Sequence, residues 1–218
     1  MPELPEAQQL AERFAGEILN AYIEDVIVHD PLIGENAARV RGQKIIDISR
    51  YGKAVYLQLS RDALIVLPSA HTRIYFSPQP LAIPDARITY RTSRSLLYLA
   101  EKSRAPRILY VNKDETPLPD IGVDPLTKRF NTAMFRRRLR TATSTIHDFL
   151  VKENIIAGIG SRYAKAILVQ TELDPVAAAN SLPRGKTKQL FWNIKRVLRE
   201  AMNEQCAFTE QTAGIGEE

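Results

Sequence analysis

Residues 154–175 read "NIIAGIGSRYAKAILVQTELDP", and this stretch decides what the second half of the chain builds. Gly158 and Gly160 flank a single isoleucine, and from Ser161 onward apolar residues return at three- and four-residue intervals, so a tight turn feeds a helix. Glycines let backbone amides approach an anion closely, and the start of the following helix adds partial positive charge. A phosphate grip fits this pattern. So does a plain interhelical turn, because two glycines one residue apart are common.

Working outward, the same helical spacing continues on both sides. "NTAMFRRRLRTA", "TIHDFLVKEN" and "GKTKQLFWNIKRVLREAMNEQ" each carry it, and in the last Leu190, Ile194, Val197, Leu198 and Ala201 form one stripe. Two basic runs belong to these helices, Arg136, Arg137, Arg138 and Arg140 in one and Lys186, Lys188, Lys195, Arg196 and Arg199 in the other. Such runs are usually solvated surface. Upstream, "KDETPLPDIGVDPL" is rich in proline and polar residues and reads as a linker over 116–126. Ahead of it lie eight short runs rich in Val, Ile and Tyr, from "YIEDVIV" to "RILYVNK", separated by Gly, Pro, Asp and Ser. That spacing predicts a β-sandwich. The expected class is α+β: an N-terminal helix and β-sandwich domain over 1–115, then a helical domain over 127–205. An aperiodic tail is expected over 206–218.

The composition is that of an ordinary folded domain, 44% hydrophobic and 25% charged over 218 residues. Thirty basic against twenty-five acidic residues leave a net charge of +5, which permits a polyanionic partner without requiring one. One cysteine, Cys206, rules out a disulfide within the chain. His29, His71 and His147 are scattered and show no zinc-ligand spacing, so neither a metal nor another cofactor is expected. No apolar run approaches the roughly 20 residues of a membrane span, and no signal segment opens the chain, so a cytoplasmic location is expected.

The chain opens "MPELPE", and apolar residues Ala7, Leu10, Ala11, Phe14 and Ile18 follow at helical spacing. Removal of Met1 exposes the secondary amine of Pro2. An α-amino group has a reference pKa of about 7.7–8.0, so roughly a tenth is unprotonated at neutral pH and able to attack the anomeric carbon of a sugar. Glu3 can move the protons that such an attack requires, and Glu6, one helical turn on, can orient the group. Acidic residues and proline are also simply favoured in a first helical turn. In "SRYGKAVYLQL", Lys53 follows Gly52 between two predicted strands. Composition alone favours a solvated hairpin lysine there; the functional reading has its ammonium on a phosphate or on the reacting sugar.

In this order the pieces resemble the formamidopyrimidine-DNA glycosylase and endonuclease VIII family of base-excision repair. "PELPE" is similar to the family's catalytic N-terminus, "RGQKIIDISRYGKAVYLQL" to its strand pair with the active-site lysine, and "IAGIGSRYAKAILVQTELDP" to its helix-two-turns-helix signature. The resemblance covers roughly residues 1–204. It implies a DNA glycosylase and abasic-site lyase with DNA, damaged or abasic, bound between a β-sandwich and a helical domain. Pro2 is then the imine-forming nucleophile, Glu3 the general acid, Glu6 a supporting carboxylate and Lys53 a catalytic, phosphate-contacting lysine. Gly158, Gly160, Ser161, Arg162 and Lys165 in the signature are DNA contacts, and a nucleoid-associated location in the cytoplasm follows.

Departures from the pattern shape the expected substrate. The chain stops at Glu218, where the family usually continues into a zinc finger or a zincless equivalent, and a protein partner is one way to compensate. "PSAHTRIYF" puts Ala70 where the family has a gap-filling Met and Leu67 where it has a phosphate-binding His, leaving His71 and Arg73 as candidate substitute contacts. A lone His is more often structural. "EKSRAPRILYV" lacks the wedge Phe and retains Arg104, and Ser161 stands in for a phosphate-contacting Asn. Extruding a nucleotide from duplex costs a few kcal/mol that wedge residues normally offset. The expectation is therefore activity on damaged, flexible or single-stranded DNA, with abasic-site cleavage more robust than excision of oxidised purines. The alternative is a catalytically weak module that binds distorted DNA.

Overall fold

A computed structural model describes residues 2–33, 35–102, 107–112 and 121–213, the side chains of 35–37 and 205–213 excepted. The chain divides into two compact units, one of Met1–Pro2 with Leu10–Pro119, the other of Glu3–Gln9 with Asp120–Glu218.

The first unit is built on two four-stranded antiparallel sheets. Strands β1 (Ile23–Val28), β6 (Ala86–Thr92), β7 (Leu96–Ala100) and β5 (Arg73–Ser77) form one in that order, and β2 (Ile45–Tyr51), β3 (Ala54–Leu59), β4 (Asp62–Leu67) and β8 (Arg107–Asn112) the other. All eight expected strands are present. Val55, Leu57 and Leu59 alternate inward from β3 and meet Ile88, Tyr90, Leu97 and Leu99 from the other sheet in one core. Helix α1 (Leu4–Ile18) adds Ala11, Phe14 and Ile18 to that core, with Phe14 edge-on to Phe76 at 5.2 Å between ring centroids. Between β2 and β3 the loop is two residues long, and Gly52 takes φ +58° while Lys53 does not take a positive φ. A positive φ at the first central position alone is the requirement of a type II′ turn, which glycine meets without steric cost.

The second unit holds α2 (Thr132–Arg140), α3 (Ile146–Val151), α4 (Ser161–Thr171) and α5 (Arg184–Ala213). Its core includes four phenylalanines, among them Phe130 and Phe191 stacked at 5.1 Å, together with Leu4 from the start of the chain and the expected α5 residues Leu190, Ile194 and Leu198.

Two segments differ from the sequence reading. Residues 121–126 of the expected linker are built into this unit: Val123 bridges to Ile156, and fully buried Asp124 accepts from the amide of Leu126. Asp in such a stretch makes a local Asx turn, and the composition of a turn and of a linker is the same. Helix α5 also runs on to Ala213 rather than ending at 205. Loss of a hydrophobic stripe does not stop a helix already nucleated, and no glycine or proline follows until Gly214.

Candidate active site

The start of α4 is where the opening hexapeptide meets the glycine turn. Gly160 is the N-cap of α4 and has no side chain with which to cap it. The carboxylate of Glu3 does so from 157 residues away in sequence: its Oε2 accepts from the Gly160 amide at 2.8 Å and the Tyr163 amide at 3.2 Å, and its Oε1 from the Arg162 amide at 3.1 Å. Glu3 is only 8% exposed, and these donors replace the water its charge has lost. The helix dipole adds to the attraction. Glycine at 160 leaves room for this carboxylate: a Cβ there would lie 2.4 Å from Cδ and Oε1 of Glu3, which would have to shift.

Glu3 is held through its backbone as well. It is the residue before α1, and its amide donates to Oε2 of Glu6 at 2.9 Å, the N3-to-N-cap half of a capping box. The next amide, of Leu4, donates to the Gly158 carbonyl at 2.9 Å. Glu6 Oε1 in turn accepts from the Tyr163 hydroxyl at 2.9 Å and from the Arg162 guanidinium, which also bonds that hydroxyl and lies 4.5 Å from the Tyr163 ring centroid. Burial, and then the nearby Glu6 carboxylate, push the Tyr163 phenol up to about 12.

This geometry corrects the phosphate-grip reading of the glycine turn. The Gly158 amide donates to Glu153 Oε1 at 2.8 Å, and the Gly160 amide is committed to Glu3. The anion that the glycines accommodate is the protein's own. Gly158 nevertheless needs to be glycine, because its φ is +92°. Arg162 is likewise engaged by Glu6 and Tyr163. Ser161 and Lys165 are exposed one turn apart on α4, and among the described hydrogen bonds none uses the Ser161 amide or hydroxyl. Tyr163 and Glu153 were not singled out in the sequence. Tyr163 sits among apolar helix positions and reads as core.

In the first unit, Pro2 is half-buried and Lys53 occupies the β2–β3 turn, whose Gly52 carbonyl accepts from Arg50 at 3.2 Å. The stretch 68–73 is held by Glu101. Glu101, 2% exposed, accepts from the Ser69 hydroxyl at 2.9 Å and the Thr72 hydroxyl at 2.8 Å, and the Ser69 hydroxyl accepts from the His71 amide at 3.0 Å. His71, exposed on this loop, and Arg73, exposed at the start of β5, line a cavity of about 120 Å³ with Tyr75 and Lys102. Arg104 lies outside the described residues. Among the described residues no cluster of His, Cys, Asp or Glu could hold a metal ion, and no helix is long and apolar enough to cross a membrane.

Residues 1–98 match the formamidopyrimidine-DNA glycosylase N-terminal domain, and residues 121–212 match the helix-two-turns-helix domain of the same glycosylase. The chain belongs to the formamidopyrimidine-DNA glycosylase family. The formamidopyrimidine-DNA glycosylase of Thermus thermophilus is 27% identical over 206 residues, covering 93% of this chain and 76% of the relative; that of Carboxydothermus hydrogenoformans is 28% identical over 205 residues, covering 91% and 76%. The crystal structure of the MutM (Fpg) protein from Thermus thermophilus superposes with a TM-score of 0.83 at 25% identity, over 93% of this chain and 76% of that one. A complex of Lactococcus lactis Fpg with abasic-site DNA shares the fold, with a TM-score of 0.84 at 22% identity over 92% and 78%. The Glu3 network joins the residue before α1 to the start of α4.

Proposed function

We propose that the protein is a bifunctional DNA glycosylase and abasic-site lyase that uses Pro2 as its nucleophile. The observation that carries this reading is the fixation of Glu3, the residue bonded to Pro2, by three amide donors on its carboxylate and by Glu6 on its own amide. A terminal amine attached to so constrained a peptide can be presented to a sugar with little orientational freedom left to lose. The unprotonated imino nitrogen of Pro2 attacks C1′ of the deoxyribose, the glycosidic bond breaks and the base leaves with a proton (at an abasic site the C1′ hydroxyl leaves as water). The C1′–O4′ bond then opens with protonation of O4′, giving an iminium ion. Glu3 supplies and receives the protons of that exchange, and Lys53 contacts the phosphate or the sugar. Ser161 and Lys165, exposed on α4, and His71, Arg73 and Arg104 in the first unit hold the DNA.

The preferred substrates are damaged, flexible or single-stranded DNA, because Ala70 fills no gap left by an extruded base. Abasic-site cleavage should accordingly exceed release of 8-oxoguanine from intact duplex, and faster purine release would refute that preference. Borohydride trapping tests the chemistry: the wild-type protein should form a covalent adduct with abasic DNA, and Pro2→Gly should form none. A catalytically weak module binding distorted DNA is the second reading, favoured by the engagement of both Glu3 oxygens as acceptors. Binding without a trapped adduct would establish it.

A further inference from the structure

Arg136 of the α2 basic run and Lys188 of the α5 run, with Arg184 at the start of α5, line a cavity of about 540 Å³ in the helical unit that the Glu3 network does not line. Its cationic lining is Arg136 from α2 with Arg184 and Lys188 from α5, and among the described residues no Asp or Glu lines it. Arg184 and Lys188 are four residues apart and share one helix face, while Arg136 reaches in from another helix. All three are exposed, and their side chains have no ion-pair or hydrogen-bond partner among the described residues. Three like charges around one concavity repel one another, so an anion seated among them relieves repulsion as well as gaining attraction.

The rest of the lining suits the same ligand. Thr132, Ala133, Gly185 and Thr187 stand at the starts of α2 and α5, so two helix N-termini border the cavity. Asn131 caps α2 by accepting from the Met134 amide, which leaves the Thr132 and Ala133 amides unused among the described hydrogen bonds. Phe135 and Phe191 form an apolar wall. The volume lies within the roughly 300–1,000 Å³ of small-molecule sites and exceeds what a lone phosphate needs.

We propose that this cavity binds a phosphomonoester or pyrophosphate group carried on a larger body, either a free nucleotide or the phosphorylated end of a nucleic-acid strand. Charge count selects this class: three cations in one cavity match a group of two or more negative charges, whereas an internal phosphodiester brings one. The site does not depend on the lyase reading, since binding is measured without cleavage.

Calorimetric titration of the full chain with inorganic pyrophosphate, with a nucleoside 5′-diphosphate, and with one single-stranded oligonucleotide bearing either a 5′-phosphate or a 5′-hydroxyl tests it. Wild-type protein should bind pyrophosphate, and the Arg184→Gln/Lys188→Gln double variant should bind it at least tenfold more weakly, with Arg136→Gln in between. Thermal melting and abasic-site cleavage should be unchanged in these surface variants. Preference for the 5′-phosphorylated strand over its hydroxyl counterpart identifies a strand end; binding of the diphosphate with no difference between the strands identifies a free nucleotide. Absence of pyrophosphate binding to wild type, or equal affinity in the double variant, overturns the proposal.

Discussion

The helical unit has two places where helix starts, small residues and cationic side chains come together, and they are finished in opposite ways. At α4 the donors are saturated by the chain's own Glu3, Arg162 is neutralised by Glu6, and a Cβ on Gly160 would have no room. At the starts of α2 and α5 the charges of Arg136, Arg184 and Lys188 meet no carboxylate among the described residues, and a Cβ on Gly185 would meet nothing within 4 Å. The same local chemistry is a structural clasp in one case and an open receptor in the other. What separates them is two carboxylates from the start of the chain, Glu3 and Glu6.

Glu3→Ala should produce the largest effect that breaks the contrast. It leaves three donors at the start of α4 without their acceptor, at a cost of about 1–3 kcal/mol for each that water does not reach, and removes the proposed proton-transfer group, which typically contributes about 10²–10⁴-fold in rate. Faster hydrogen exchange at the Gly160, Arg162 and Tyr163 amides, together with lost abasic-site cleavage, would show both. Exchange unchanged from wild type would mean that the clasp does not form in solution.

Gly160→Ala should come next, because its φ of −110° suits alanine and only crowding is at issue. The new Cβ must push Glu3 off its donors, for a loss of about 1–3 kcal/mol. In the Glu3→Ala background the same substitution should cost almost nothing. That non-additivity is what a direct clash between the two residues requires, and additive losses would exclude it.

Tyr163→Phe should have the smallest effect, about 0.5–1.5 kcal/mol for one hydrogen bond to Glu6. Its signature is a pH dependence. The folded protein holds the Tyr163 proton up to about 12, whereas an unfolded tyrosine releases it near 10. The stabilisation is therefore whole below pH 10 and is lost as pH rises towards about 12. Tyr56, also pushed up to about 12 by burial and then by Tyr51, adds to the same decline. Denaturation midpoints between pH 9 and 12 should fall less steeply in Tyr163→Phe, and an unaltered slope would remove Tyr163 as a contributor.

The sequence by itself determined the eight strands, the stripes on α1 and α5 and the Gly52 turn, because each is set by a period of two or of 3.6 residues, or by the φ that one residue must adopt. Its ordered motifs also named Pro2, Glu3, Glu6 and Lys53 as candidates. Tertiary structure alone decided that the glycine turn receives Glu3 rather than an outside anion, that Glu101 pins Ser69 and Thr72, and that Arg136 and Lys188, from two separate basic runs, line one cavity. Periodicity is a property of neighbours along the chain. Neutralisation of a charge depends on which groups lie within a few ångströms in space, and for Gly160 that partner is 157 residues away.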